Sequence, residues 1–284
     1  MTPDKILGYS LLWYDSFRST EDVPYHKWNA TVNQTHYNNE VQRYDSAWDV
    51  THIHSIFGGP EPHVGDSMYI TPQLHDGEWR SARMEGKSSY SCPEGKSLIL
   101  QANIQVGSAP SDKQAGIWPA FWALGESQRH GTEWPLCGEW DIFETSDGHD
   151  WTLGSLHWGE MNADRTIGRH SLPPAVGDEL ISKYGNKYDH TQPHTWSIKV
   201  DRTKSSWRDE TIQWFMDGKQ FYEVKGSDVN NEEQWGVLAH EPYFPVLNVA
   251  VGGTFPKGGQ PNAQTATGMD TGMTVQYVAF YLSD

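Results

Sequence analysis

The sequence predicts an all-β fold, a jelly-roll sandwich of two antiparallel sheets. Short apolar or alternating segments recur along its 284 residues, separated by Gly, Pro, Asn and Asp, and no strong helical periodicity interrupts them. Many short strands at this spacing are typical of a β-sandwich or jelly roll. The chain contains no internal repeat and no Pro/Ser-rich linker, so we expect a single domain over residues 1–284.

The segments with the clearest strand pattern end at turn-forming residues. Asp217-Gly218 separates two such segments and predicts a tight hairpin. Residues 257–273 are rich in Gly, Pro, Thr, Asn and Gln, which predicts a long surface loop before the last strand. In chain order the predicted strands include residues 9–14, 68–72, 98–106, 195–200, 211–216 and 273–282.

Composition excludes several classes of function. The net charge is −16, and no cluster of Lys or Arg is present, so nucleic acid and anionic membranes are poor partners. No run approaches the roughly 18 apolar residues that a transmembrane helix needs. Two cysteines, Cys92 and Cys137, are too few for a disulfide scaffold or a zinc ribbon, and whether they pair stays open. The 14 Trp, 13 Tyr and 9 Phe suit either core packing or a sugar-binding cleft.

The location of the protein is predicted from two observations. Residues 1–4 lack the charged and apolar segments of a signal peptide, which fits either a cytosolic protein or a mature chain with an added Met. Asn29 and Asn33 each begin an Asn-x-Thr pattern for N-glycosylation. These patterns favour a secreted protein.

The run EWDIFE at residues 139–144 places three acids close together. Side chains alternate faces along a strand, so Glu139 and Asp141 point to the same face. Under strict alternation the next residue on that face would be Phe143, and not Glu144. One extra residue, a β-bulge, restores Glu144 to the acidic face, and bulges are common beside active sites. Carboxylates this close raise at least one pKa, as a glycosidase requires. An exposed acidic edge strand is the structural alternative.

Two neighbouring motifs point to a known family. Residues 118–124 read WPAFWAL, and residues 134–144 read WPLCGEWDIFE. Together they resemble glycoside hydrolase family 16, and the Glu-x-Asp-x-x-Glu spacing is similar to that of its laminarinase-like endo-β-1,3-glucanases. The lichenase-like branch lacks the extra residue. Further segments match the family in the same order along most of the chain, at residues 12–17, 38–42, 81–83, 154–158, 247–253 and 275–281.

The resemblance implies a jelly roll whose concave face carries an open substrate cleft. It implies that Glu139 is the nucleophile of a retaining mechanism, that Glu144 is the acid/base, and that Asp141 hydrogen-bonds the nucleophile. A neutral Glu144 beside two anions fits these roles. The implied substrate is a polysaccharide, laminarin-type β-1,3-glucan or mixed-linkage β-1,3-1,4-glucan, and we expect a monomer that needs no cofactor.

Seven further residues are implied to bind the sugar chain. Tryptophan rings stack on pyranose faces, and guanidinium, imidazole and amide groups hydrogen-bond sugar hydroxyls. The structural alternatives are core packing, a surface salt bridge and a buried histidine. The seven residues are Trp118, Trp122, Arg83, His157, Asn38, Trp134 and Asn248.

The sequence departs from the family pattern at two places. Many relatives bind a structural calcium with acids at the positions of Ser16 and Gln276, and neither residue is anionic here, so we expect no metal. Trp140 stands where relatives more often have Ile or Leu, and alternation predicts that it points away from the cleft.

Alternative functions stay open from the sequence alone. The same scaffold supports endo-β-1,3-galactanases and transglycosylases, which differ in cleft loops. A non-catalytic β-glucan-binding module is a further alternative, but the presence of Glu139, Asp141 and Glu144 favours an enzyme.

Overall fold

The structure, a computed structural model, describes residues 3–17, 26–32, 38–46, 51–54, 67–161, 167–171 and 186–284. Its strands, in chain order, are β1 (Tyr9–Asp15), β2 (Trp28–Ala30), β3 (Arg43–Tyr44), β4 (Thr51–His54), β5 (Ser67–Ile70), β6 (Gln73–His75), β7 (Glu78–Ser81), β8 (Arg83–Gly86), β9 (Ser97–Val106), β10 (Ile117–Gly125), β11 (Glu139–Glu144), β12 (Trp151–Met161), β13 (Ile167–Ser171), β14 (Asn186–Lys187), β15 (His194–Asp201), β16 (Thr211–Met216), β17 (Lys219–Lys225), β18 (Tyr243–Val251) and β19 (Met273–Ser283). The helices are α1 (Gly226–Val229) and α2 (Glu232–Ala239).

Two large antiparallel sheets confirm the predicted jelly-roll sandwich. The first has the strand order β17-β16-β15-β9-β19-β5-β4, and β1 pairs with the far half of β19. The second has the order β13-β12-β11-β10-β18-β8-β2, with β14 beside β12. A small third sheet, β3-β7-β6, includes a parallel pair. Consecutive strands often lie in different sheets, as in other jelly rolls.

The core lies between the two large sheets, and the alternation of β9 shows how the sequence builds it. Leu98, Leu100 and Ala102 point into the main apolar cluster, while Gln101 between them bonds the Tyr277 hydroxyl. Strand β18 is buried along its whole length, because it lies inside its sheet between β10 and β8.

The first sheet supports the back of β11 directly. The Phe143 ring of β11 lies 4.7 Å from the Trp196 ring, measured between centroids. The Trp214 indole N–H crosses the sandwich and donates to the Asp141 carbonyl at 2.7 Å. Gly154 makes room for this indole, since a Cβ there would lie 2.5 Å from Trp214 Cδ1. The backbone of β11 is therefore fixed from behind.

Helix α2 supports the same strand from one end, and the sequence patterns did not reveal it. Its N-cap, Asn231, accepts a hydrogen bond from the backbone N–H of Gln234. The indole of Trp140 stacks on Tyr243 at 3.7 Å between centroids and donates to the Leu238 carbonyl at the helix end. Trp140 thus points away from the acidic face, as predicted.

Other local predictions are confirmed. Asp217 and Gly218 both have positive φ, 48° and 75°, and join β16 to β17 in a tight turn. Residues 253–272, all described, contain turns and a 3₁₀ turn at Gly268–Thr271 but no strand.

Cys92 and Cys137 are separate buried thiols. No described helix has both the length and the apolar character to cross a membrane.

Candidate active site

The three acids of β11 lie on one face because the strand bulges between them. Phe121 on β10 pairs with Phe143, and Trp122 pairs with Asp141, so Ile142 is the extra residue. The pairing with β12 shifts at the same place, between Asp141 and Glu144. The predicted bulge is confirmed. Glu139, Asp141 and Glu144 all line one cavity, while Ile142 and Phe143 are fully buried.

Asp141 is the most deeply buried of the three acids and has a cationic neighbour. His157 of β12 places Nε2 3.0 Å from Asp141 Oδ2 and 3.6 Å from Glu139 Oε1. Burial by itself would lower the pKa of His157, but the negative charge of Asp141 and its hydrogen bonding raise that pKa to about 9. The imidazole is therefore protonated at neutral pH and forms an ion pair with Asp141.

The two outer acids each accept a hydrogen bond from a tryptophan. The Trp134 indole donates to Glu139 Oε2 at 3.1 Å. The Trp118 indole donates to Glu144 Oε1 at 3.0 Å. Indole nitrogen is only a donor, so each contact favours the ionised carboxylate and fixes one of its oxygens.

Burial and mutual repulsion raise the pKa of both outer acids. For Glu139 the raising factors, burial and Asp141, are opposed by His157, Arg83 and the Trp134 N–H. For Glu144, burial and Asp141 raise the pKa well above its ordinary value, against His157 and the Trp118 N–H. Glu139 has an additional cation nearby, Arg83, which lowers its pKa, whereas Glu144 has Glu139 as a further anion, so a proton shared by the two is favoured on Glu144.

The acids form the floor of a cavity of about 230 Å³. Six of the seven residues implied to bind sugar line it together with the acids, namely Asn38, Arg83, Trp118, Trp122, Trp134 and Asn248. His157 does not line the cavity, and contacts the acids from β12. The sequence did not single out the remaining polar lining residues, Glu40, Tyr44 and Gln128.

A chain of hydrogen bonds connects the lining residues on the side of β18. The Trp122 indole donates to Asn248 Oδ1 at 2.6 Å, and the Asn248 amide donates to the Tyr44 hydroxyl at 3.1 Å. That hydroxyl reaches Glu40 Oε2 at 3.4 Å. The Arg83 guanidinium lies over the Trp122 ring, 4.6 Å from its centroid. These contacts hold the rings and amides of this wall in fixed positions before any ligand binds.

Glu139, Asp141 and His157 are also a possible metal-binding group, because one ligand atom from each lies within 4.8 Å of the others. A protonated imidazole has no lone pair for a metal, so a cation would have to displace the proton that the raised pKa of His157 favours. The ion pair with Asp141 accounts for this cluster without a cation.

No family model matches the chain. Individual proteins do. The chain is 24% identical over 302 residues to glucan endo-1,3-beta-glucosidase A1 of Niallia circulans, with 99% of the chain aligned but only 39% of that longer protein. It is 25% identical over 286 residues to a beta-glucanase of Rhodothermus marinus, covering 98% of the chain and 87% of the relative.

A solved structure of a glucanase is also similar to the chain. The endo-1,3-beta-glucanase of Streptomyces sioyaensis superposes with a TM-score of 0.81 at 26% identity, over 99% of each chain. The resemblance to the laminarinase-like branch of glycoside hydrolase family 16, predicted from the motifs, is confirmed.

Proposed function

We propose that the chain is a retaining endo-glycosidase that cleaves β-1,3-linked glucan, with Glu139 as nucleophile and Glu144 as acid/base. The observation that carries this proposal is the bulged strand β11, which presents three acids to one cavity and gives the two outer ones different charged neighbours. Unequal proton affinity is what a pair of catalytic carboxyls requires. The glucan-cleaving relatives support the choice of substrate.

In the first step, an ionised Glu139 oxygen attacks the anomeric carbon of the sugar bound above it. The bond from that carbon to the glycosidic oxygen breaks, and Glu144 gives its proton to the departing oxygen. An electron pair of the Glu139 carboxylate forms the new ester bond to the sugar, and Glu139 becomes neutral. Glu144 is left ionised, and its contact with the Trp118 N–H stabilises that charge.

In the second step, a water molecule enters beside Glu144. Glu144 takes a proton from it, and the water oxygen attacks the anomeric carbon from the opposite face, releasing Glu139 as a carboxylate. Two inversions retain the anomeric configuration. Glu144 is then protonated again, and both acids are ready for the next cycle.

Asp141 and His157 control the charge of Glu139 in this scheme. The ion pair between them neutralises the middle acid, so that Glu139 faces an imidazolium at 3.6 Å together with a nearby anion. The imidazolium favours the ionised form of Glu139, against burial and Asp141, which favour its protonated form.

The wall formed by Trp122, Arg83, Asn248 and Asn38 supplies the groups for sugar binding. A flat indole offers a stacking surface, and the guanidinium and amides offer donors toward hydroxyls. Trp134, about one-third exposed, offers a second ring close to Glu139. Galactan cleavage and transglycosylation would use the same catalytic groups. An activity assay is therefore needed to distinguish them from glucan hydrolysis.

The substrate is tested by measuring released reducing ends with laminarin, lichenan and a β-1,3-galactan. Hydrolysis of laminarin is expected, and galactan as the preferred substrate would overturn the assignment. NMR of the first product should show the β-anomer.

Glu139→Gln should abolish turnover and preserve laminari-oligosaccharide binding, which also separates an enzyme from a binding module. Full activity in that variant would refute the role of Glu139.

We also infer that the protein acts as a secreted monomer. Asn29 lies exposed on β2, where a glycan could be attached, and the second glycosylation prediction, Asn33, falls outside the described residues. Mass spectrometry of the protein from its native source tests for a glycan at Asn29, and light scattering tests the monomer. An unmodified Asn29 would remove this support for secretion, and a dimer mass would exclude the monomer.

A further inference from the structure

Phe255 contacts the site from the long segment that follows β18. It is not one of the residues that line the cavity. Its ring stacks on Trp118, with 4.9 Å between centroids and 29° between planes. It also meets the buried Trp151 ring edge-on, at 6.0 Å and 69°. Phe255 thus contacts both a buried ring and a ring of the cavity wall.

The backbone before Phe255 supports the same indole. Gly253 has φ +106°, and a Cβ there would lie 3.2 Å from Trp118 Cζ3. Gly252 donates its N–H to the Gly116 carbonyl at 2.7 Å, which ties this segment to the start of β10. The indole of Trp118 is therefore confined by the backbone at Gly253 and by the ring of Phe255.

The position of this indole matters because its N–H donates to Glu144 Oε1. A carboxyl group rotates readily about its terminal bond, so a fixed donor determines which oxygen is free to carry the proton. The charged groups facing Glu144 are Glu139 and Asp141 on its own strand and His157 on β12. Trp118 and Phe255 carry no charge, so the aromatic pair is a separate influence on Glu144.

We propose that Phe255 is a positioning residue for the general acid, acting through Trp118 to orient the proton-donating carboxyl of Glu144. The inference rests on the proposed glycosidase function. Loss of the Phe255 ring frees the indole to tilt, weakens its hydrogen bond, and leaves the Glu144 carboxyl without a defined orientation. Small displacements of an acid can cost about 100-fold in rate.

The test compares Phe255→Ala and Phe255→Leu with the unchanged protein on two β-laminaribiosides. A methoxy leaving group is strongly basic and needs protonation, whereas a 2,4-dinitrophenyl group departs without it. For the first substrate kcat/KM should fall by about 10-fold or more in both variants. For the second it should change by less than about 3-fold. Trp118→Phe, which keeps a ring but removes the N–H, should give the same pattern, and Phe255→Tyr should restore activity.

A second readout does not depend on the substrate. Removing a donor to a carboxylate raises its pKa, so a ¹³C NMR titration of the Glu144 side chain should move to higher pH in Phe255→Ala. In kinetics, the alkaline limb of kcat/KM should move in the same direction. Phe221→Ala is the matched control, since Phe221 packs on Trp196 in the first sheet and should alter neither readout.

The outcomes separate the two proposals. Equal losses on both laminaribiosides, or an unchanged Glu144 titration, would overturn the role of Phe255. If the unchanged protein cleaves neither laminaribioside while the Glu144 titration still shifts in Phe255→Ala, the proposed function is refuted and the positioning role stays in place.

Discussion

Replacing Glu144 with Gln should make the protein more stable while abolishing its chemistry. Burial and Asp141 raise the pKa of Glu144 well above its ordinary value of 4.5. Between pH 4.5 and the folded-state pKa, the unfolded chain releases this proton while the folded protein retains it. The folded state then binds more protons than the unfolded state, so its stability falls as the pH rises.

The magnitude follows from this proton difference. Each pH unit in that interval removes about 1.4 kcal/mol from the free energy of unfolding, which sets a ceiling of about 3 kcal/mol at pH 7. Glutamine has nearly the same volume, carries no charge and still accepts from the Trp118 N–H through its carbonyl oxygen. Glu144→Gln should therefore be about 1–3 kcal/mol more stable than the unchanged protein at pH 7.

Urea unfolding followed by tryptophan fluorescence, repeated from pH 4.5 to pH 8, measures this difference. The gain should be close to zero at pH 4.5 and grow as the pH rises. Glu94→Gln, an exposed carboxylate in a turn, is the control and should stay within about 0.5 kcal/mol at every pH. A gain that does not depend on pH, or a loss of stability at pH 7, would refute the assignment of the proton to Glu144.

Three further predictions concern the scaffold. Glu210→Ala should cost about 3–5 kcal/mol in urea unfolding, because it removes the buried carboxylate that pairs with Arg202 at 3.1 Å and accepts from the Trp235 indole; a cost below about 1 kcal/mol would contradict this. Gly154→Ala should cost about 1–3 kcal/mol and slow turnover, since the added methyl displaces the Trp214 indole behind β11; unchanged stability would show that the sandwich accommodates it. Calorimetric titration with calcium should show no tight binding, because Ser16 and Gln276 are not anionic, and a submicromolar site would overturn that expectation.

The sequence predicts the strands and the acidic floor of the site well, because both depend on local periodicity. The spacing of Glu139, Asp141 and Glu144 requires a bulge under strict alternation, and the register shift lies at Ile142. Local pattern and tertiary structure agree at this point. The hairpin at Asp217-Gly218 is predictable for the same reason.

The walls of the cavity are harder to predict, because they depend on residues far apart in the chain. Glu40 lies within a motif that the sequence showed, but its role in the wall depends on Gln42, Tyr44 and the bridge to Gly252 beyond β18. Phe255 meets Trp118 across more than 130 positions of sequence. No spacing rule joins such pairs.

Helix α2 was missed for a different reason. It has only eight residues, too few to establish a helical period. Its place depends on partners elsewhere, with the Trp235 indole donating to Glu210 at 2.7 Å. The N-cap Asn231, followed by two acids, was a usable signal for its start.

The bulge at Ile142 has a consequence for insertions and deletions during evolution. A chain without Ile142 would read Glu-Trp-Asp-Phe-Glu, and simple alternation would still place all three acids on one face. The catalytic geometry could therefore pass between two spacings by the gain or loss of one codon. The core could not follow as easily, because Ile142 is fully buried and its loss would leave a cavity beneath the strand. A lineage that changed the spacing would need compensating substitutions in the opposite sheet. Related proteins with the two spacings should therefore differ in the residues packed behind β11 rather than in the cleft.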